Sequence, residues 1–317
     1  MRTPVTIITG FLGAGKTTLL NQIIAQKKET RYAIIENEMG AVNLDSEFII
    51  GVDEAIFKIT DGCLCCTLNV ELSKLLAELI RRKSEFDHLI IETTGIADPA
   101  GVASVFISDL NVQEHFELDG IICLVDSFHI EDLLKSKETE AARQISFADV
   151  LVFNKADLIH AKSLENLQKT TKNINPFAKQ ITASHSKIDV NKVLNIKAFE
   201  AKQVEIKTQK VNFSLAHRHG NITSQTYQYF EPFDILKFRQ FIQVLMHFQR
   251  MRIYRMKGIL NIEGQPNKII FQSVQEQVVF TKGSEWQPNE NRQTTLVVIG
   301  NGLNQMAFDK KLRQCFA

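Results

Sequence analysis

Gly10-Phe11-Leu12-Gly13-Ala14-Gly15-Lys16-Thr17 decides the fold of this 317-residue chain. The run follows the apolar stretch Val5 to Thr9 and leads into a helical pattern that extends to about Gln26. A strand, a glycine-rich turn ending in Lys-Thr, and a helix together make a phosphate-binding loop. The glycines let backbone amides wrap a β-phosphate at the helix N-terminus, where the macrodipole favours anions. Gly10, Gly13, Ala14 and Gly15 are the expected wrapping residues. Lys16 is expected on the β- and γ-phosphates, the Thr17 hydroxyl on magnesium, and Thr18 on the α-phosphate.

Outward from this loop, short apolar runs alternate with helical stretches, the signature of a doubly wound α/β sheet. Tyr32 to Ile35, Ala55 to Thr60, His88 to Ile91, Gly120 to Val125, Val150 to Phe153 and Gln180 to Ala183 read as further strands. Most are wholly apolar, as strands buried on both faces tend to be. Leu72, Leu75, Leu76 and Leu79 give Glu71 to Arg82 the spacing of an amphipathic helix. The expected fold is therefore an α/β P-loop NTPase domain with a doubly wound, mostly parallel sheet.

The pattern changes after about residue 200. Lys202 to Leu215 and Ser224 to Phe230 alternate as strands, and Asp234 to Gln249 reads as a helix. That helix carries Phe238, Phe241, Ile242, Leu245 and Phe248 on one face. Ile259 to Ile262 and Lys268 to Ser273 flank a Glu-Gly-Gln-Pro-Asn turn and read as a hairpin. Val278 to Thr281 and Thr295 to Ile299 add strands. The expected division is a nucleotide domain over 1–200 and a smaller α+β domain over 201–317, joined between Ile196 and Val211.

With 44% hydrophobic and 23% charged residues, the chain can bury an ordinary globular core. A net charge of +1 offers no bulk attraction to nucleic acid or membrane. No run approaches the ~20 apolar residues of a membrane span. The N-terminus enters a strand at once and does not read as a signal peptide. A cytoplasmic protein with reduced thiols is expected.

Asn154-Lys155-Ala156-Asp157 closes the strand Val150 to Phe153. There Asp157 can accept from the N1–H and exocyclic amine of guanine, a donor pair adenine lacks, so GTP is the expected nucleotide. In Leu89-Ile90-Ile91-Glu92-Thr93-Thr94-Gly95, Glu92 is expected to hold magnesium through water or to polarise the attacking water. A strand-end carboxylate that caps the next helix is the alternative. The Gly95 amide is expected to sense the γ-phosphate and drive a switch over Ile96 to Gly101.

Three of the five cysteines fall in Gly62-Cys63-Leu64-Cys65-Cys66. Thiolates so spaced suit zinc, copper(I) or an iron–sulfur centre, with a redox pair as the alternative. Three sulfurs leave a tetrahedral zinc site one ligand short or open. The carboxyl ends of parallel strands share one crevice, so Glu36 and Glu38 after strand two are candidate fourth ligands beside the phosphates. Cys123 and Cys315 read as packing or incidental thiols.

Gly-Phe-Leu-Gly-Ala-Gly-Lys-Thr-Thr, Glu-Asn-Glu-Met-Gly, Gly-Cys-Leu-Cys-Cys, Ile-Glu-Thr-Thr-Gly-Ile-Ala-Asp-Pro and Asn-Lys-Ala-Asp together resemble the CobW-like family of P-loop GTPases, of the zinc-regulated metallochaperone type. The likeness extends to Arg255-Met-Lys-Gly258 and Leu296-Val-Val-Ile-Gly300 and covers essentially the whole chain. It implies a metal motif at Cys63, Cys65 and Cys66, a carboxylate ligand at Glu36, and switch regions at Asp45 and at Ile96 to Pro99. Ala41 replaces a glutamate frequent in the family. His217 and His219 stand where many members carry a histidine-rich tract, which leaves a metal-storage role unsupported.

Arg250, Arg252, Arg255 and Lys257 alternate with Met251, Tyr254 and Met256, and read as a solvated face or a docking site for an acidic partner rather than a nucleic-acid contact. The resemblance implies a slow GTPase that binds a divalent metal, zinc foremost, and passes it to a client metalloprotein. A metal-sensing assembly factor, cobalt delivery for cobalamin synthesis and nitrile hydratase activation are the alternatives. A homodimer is compatible with the sequence.

Overall fold

A computed structural model describes residues 2–37, 56–59, 68–95, 97–135, 140–201 and 222–317. Glu38, Ala41, Asp45, Cys63, Cys65, Cys66, Ile96, His217, His219 and the strand expected over Lys202 to Leu215 lie outside the described residues. The chain forms two compact units. One comprises Met1–Lys169 with Ala178–Lys197, the other Thr170–Phe177 with Ala198–Ala317.

In the first unit β1 (Thr3–Gly10), α1 (Lys16–Gln26), β2 (Tyr32–Asn37), β3 (Ile56–Ile59), α2 (Leu68–Arg81) and β4 (His88–Glu92) follow in order. Next come α3 (Pro99–Ser108), α4 (Leu110–His115), β5 (Phe116–Asp126), α5 (Ile130–Lys135) and α6 (Glu140–Phe147). β6 (Val150–Asn154), α7 (Ala161–Ile174), whose end from Thr170 onward belongs to the second unit, and β7 (Lys179–Thr182) complete the alternation. The strands form a seven-stranded sheet in the order β3-β2-β4-β1-β5-β6-β7, and every pairing is parallel. Val5, Ile7, Ile8, Ile34, Ile90 and Ile122 have no exposed surface, because helices cover both faces of the sheet. Leu72, Leu76 and Leu79 of α2 are buried as their spacing predicts.

At the edge opposite the phosphate loop, Thr6 bridges His88 (2.9 Å) and Asp119 (3.3 Å). Asp119 also accepts from the amide of Lys197 at 2.7 Å, where this unit ends. Burial pushes the Asp119 carboxyl up despite backbone hydrogen bonds from Lys197, Ile196 and Asn195. Burial pulls His88 down to about 4.

The second unit contains β8 (Ile222–Tyr229), α8 (Ile235–Gln249), β9 (Ile253–Leu260), β10 (Asn267–Val274), β11 (Gln277–Glu285), β12 (Thr294–Asn301) and α9 (Phe308–Arg313). The strands pair antiparallel in the order β11-β10-β9-β12-β8. Phe233, Phe238, Ile242, Phe271, Val298 and Leu312 are among its buried core.

Two expectations need correction here. On α8, Met246 joins the core, whereas Phe248 is 73% exposed, because it falls at the edge of the apolar stripe in the last turn. The basic quartet is not one solvated face: Arg250 is exposed and Arg252 half-buried, but the other two are not at the surface. Arg255 and Lys257 occupy alternate positions of β9, so they share one face of the sheet, and both are buried. Lys257 Nζ donates to the carbonyl of Ala198 at 3.4 Å and lies 5.7 Å from the rings of Phe177 and Phe199. The Arg255 guanidinium sits 5.6 Å from the Phe199 ring. Arg252 donates to the carbonyls of Asn301 and Gly302, and Arg250 pairs with Glu276 at 3.5 Å.

Candidate functional site

Gly10 ends β1, and the turn after it closes when Ala14 N donates to Phe11 O at 3.1 Å. Gly15 precedes α1 with φ of 100°, and no side chain caps the helix. The first amides of α1 are thereby left for an anion. Gly15 is sterically required: a Cβ there would lie 2.5 Å from Asn154 Nδ2. Lys16 is buried and arches over the loop, with Nζ donating to Gly10 O at 3.0 Å and Phe11 O at 3.4 Å. Thr18 is exposed beside the loop.

The Thr17 hydroxyl donates to Glu92 Oε1 at 3.0 Å. Glu92 ends β4, in register with Ile8 of β1 on one side and Glu36 of β2 on the other. Glu36 is buried. Glu36 and Glu92, in register on neighbouring strands, therefore lie on the same face of the sheet. A hydroxyl and a carboxylate at this spacing form the hard-oxygen set that magnesium takes, so the residues present fit that ion. Of the expected thiolate–carboxylate cage, Glu36 alone falls within the described residues. Among these, no group of three or more His, Cys, Asp or Glu gathers to hold a metal.

The base side is built around Asn154, buried at the end of β6. Its Nδ2 donates to Ala14 O at 2.8 Å and to Ser186 Oγ at 3.0 Å, and its Oδ1 accepts from Ser186 N at 2.8 Å. Ser186 Oγ in turn donates to Gly15 O at 3.1 Å. One carboxamide thus connects the phosphate loop to the loop after β7. Lys155 adopts φ of 57° and reaches Asp126 Oδ2 at 2.7 Å, while Asp126 also meets His129 Nδ1 at 3.0 Å. Burial pulls the Asp126 carboxyl up, but hydrogen bonds from Lys155, His129 and the Phe128 amide outweigh it and hold it below the usual range. Asp157, at the surface, is held below its ordinary value by a hydrogen bond with Ser184 and by the backbone. Its carboxylate stays ionised and able to accept.

Beyond Glu92, Thr93 donates from its amide to Ile8 O at 2.9 Å and from its hydroxyl to Thr9 Oγ1 at 3.0 Å. Gly95 abuts the phosphate loop so closely that a Cβ would lie 2.6 Å from Leu12 N. Gln144 of α6 donates to the carbonyls of Gly95 and Ala97, and Arg143 pairs with Asp98. Asp98 itself caps α3 by accepting from Ala100 N at 3.0 Å. Lys16, Thr17, Glu92, Asn154 and Asp157 stand out in the sequence. Asp126, Gln144, Ser184 and Ser186 do not; they hydrogen-bond with Lys155, Gly95, Asp157 and Asn154 in turn. These four act by meeting another loop and stand in no recognisable spacing of their own. Cys123 and Cys315 are buried free thiols, pushed by burial up to about 12 and about 11, and are packing groups as expected.

Two family profiles match the chain: the CobW/HypB/UreG nucleotide-binding domain over residues 4–182 and the cobalamin synthesis protein cobW C-terminal domain over residues 222–316. The zinc chaperone YjiA of Escherichia coli is 32% identical over 317 residues, covering 99% of this chain and 97% of that protein. Zinc-regulated GTPase metalloprotein activator 1 of Schizosaccharomyces pombe is 32% identical, covering 86% of this chain and 75% of its own length. The crystal structure of Zn(II)-bound YjiA GTPase from E. coli superposes with a TM-score of 0.80 at 29% identity, over 100% of both chains. With the nucleotide-binding profile spanning residues 4–182 and a relative 32% identical over 99% of its length, this chain belongs to the CobW/HypB/UreG family.

Proposed function

We propose that this chain is a guanine-specific GTPase that loads a divalent metal, zinc foremost, and hands it to a client metalloprotein. The observation that carries the reading is the Asn154 carboxamide, which stands at the end of the strand leading to Asp157 and fastens the phosphate loop to the loop after β7. A site with those two halves registered is suited to a guanine nucleotide rather than to a bare phosphate. The relatives bearing the names zinc chaperone and zinc-regulated GTPase metalloprotein activator support the metal half. We assign 1–200 to the nucleotide domain and 201–317 to the second domain.

In this reading the amides of Gly13, Ala14 and Gly15 and the ammonium of Lys16 cradle the β-phosphate, and Lys16 leaves Gly10 O to reach the γ-phosphate. Thr17 and Glu92 would hold magnesium, which when bound would supply charge neutralisation to the phosphates. Water attacks the γ-phosphorus, the bond to the β–γ bridging oxygen breaks, and GDP and phosphate leave. Zinc is cargo: Cys63, Cys65 and Cys66 supply thiolates, and Glu36 or Glu38 completes the set. Reduced thiols fit a cytoplasmic setting.

The deciding experiment measures zinc affinity of the full chain with a non-hydrolysable GTP analogue, with GDP and without nucleotide, beside GTP and ATP hydrolysis. Zinc affinity should differ between the nucleotide states, and GTP should be hydrolysed in preference to ATP. Three equal zinc affinities, together with Cys65→Ala hydrolysing GTP like the wild type with and without zinc, would end the coupled reading.

A further inference from the structure

Gln144 is 2% exposed on α6, yet its side chain is polar and reaches out of its own helix. Its Nε2 lies 3.0 Å from Gly95 O and 3.3 Å from Ala97 O. An amide –NH2 has two hydrogens, and here both have a carbonyl to meet. The opposite amide orientation would aim oxygen at two carbonyl oxygens, so the donor assignment follows from the chemistry of the site. The carbonyl of Ala97 is thus bound by α6, while its amide donates to Thr94 O at 3.1 Å. On the other side, Gly95 rests against Leu12 of the phosphate loop with no room for a Cβ. Gly95 is therefore held between the loop that cradles phosphate and one carboxamide from α6.

The neighbouring residue repeats the arrangement one step further along, since Arg143 pairs with Asp98, the cap of α3. Consecutive side chains of α6 thus grip consecutive parts of the segment between β4 and α3. α6 then runs into β6, whose last residue is Asn154.

We propose that Gln144 is a positioning residue for nucleotide hydrolysis. By holding the Gly95 and Ala97 carbonyls it orients the Gly95 amide toward the γ-phosphate position, and it transmits movement of that turn to α6. The proposal rests on the GTPase reading above and adds to it a residue that touches neither nucleotide nor metal.

The test uses the full chain with Gln144→Glu and Gln144→Leu. At pH 8 a glutamate keeps the shape of the side chain but turns an anion toward two carbonyls. As pH falls toward about 6, a buried carboxyl in such a place takes up a proton and can donate one hydrogen bond again. We expect GDP affinity within twofold of wild type for both variants, because the base and β-phosphate contacts are elsewhere. Both should lose about 10- to 100-fold in kcat at pH 8 and a similar factor in the affinity ratio of a non-hydrolysable GTP analogue to GDP. Relative to wild type, Gln144→Glu should regain activity between pH 8 and 6, whereas Gln144→Leu stays low.

Wild-type kcat and wild-type affinity ratios in both variants would overturn the proposal. Equal losses of GDP and GTP-analogue affinity, with no regain in Gln144→Glu at low pH, would reduce Gln144 to a packing residue and overturn it as well. If the wild type itself hydrolyses no GTP, the GTPase reading fails first, and that outcome is recognised before either variant is compared.

Discussion

The Thr17 hydroxyl, in the first turn of α1, donates to the Glu92 carboxylate at the end of β4 across 3.0 Å. Two segments far apart in sequence meet at this bond because β4 lies beside β1 in the sheet. In the proposed reading these two oxygens would hold magnesium.

Glu92→Gln separates the two roles open to that carboxylate. If Glu92 holds magnesium, half-saturation by the ion shifts upward by about tenfold and kcat recovers at high magnesium. If it polarises water, kcat falls by roughly 10²-fold at every magnesium concentration. Thr17→Ala should raise the magnesium requirement in both cases. A magnesium titration of GTP hydrolysis by each variant reads the difference.

Asp157→Asn should change which base is accepted. An amide there no longer offers two acceptors to guanine N1–H and its amine, but it can donate to the carbonyl that xanthine carries at the same carbon. GTP affinity should fall on the order of 10²-fold or more while that for xanthosine triphosphate rises. Competition against a fluorescent GDP measures both.

His88 makes stability depend on pH. Burial holds it at about 4 against its ordinary 6.5, so the unfolded chain takes up the proton first as pH falls. The stability it lends is intact above pH 6.5 and is lost progressively down to about pH 4, roughly 3 kcal/mol in all. Asp119, on the other side of Thr6, works in the opposite sense, because its raised carboxyl favours protonation in the folded state as pH falls. His88→Gln should therefore flatten the loss between pH 6.5 and 4, as read from urea midpoints by circular dichroism.

Arg255→Ala should destabilise the second unit by roughly 3 kcal/mol, through the cavity left by a fully buried side chain and the lost stacking on Phe199. The single tryptophan, Trp286, lies buried in that unit, and its fluorescence reports the urea transition. An unchanged midpoint would show that Arg255 is not part of the packing.

The first unit was legible because its strands are apolar throughout and its loops carry fixed spacings, from Gly10 to Thr17 and from Asn154 to Asp157. β9 was harder. Its middle contains Arg255 and Lys257 at buried positions, and charges there hide the alternation that identifies a strand. The rings of Phe177 and Phe199 and the carbonyl of Ala198, distant in sequence, help make those positions tolerable. Gln144 was illegible for a related reason. A glutamine on an amphipathic helix looks like its solvent face until the turn at Gly95 is brought over it. Side chains that work by meeting another segment leave no trace in their own.

The Asn154 carboxamide gives the site the character of a chelate. Its two ends bind two loops together, so the spacing between phosphate and base is set within the protein and not by the ligand. A nucleotide that spans both halves then gains the second contact at high effective concentration, without the entropy of a second encounter. Guanosine and pyrophosphate offered as separate fragments should bind far more weakly than their joined form implies. Asn154→Ala should erase much of that advantage, leaving each fragment nearly as it was.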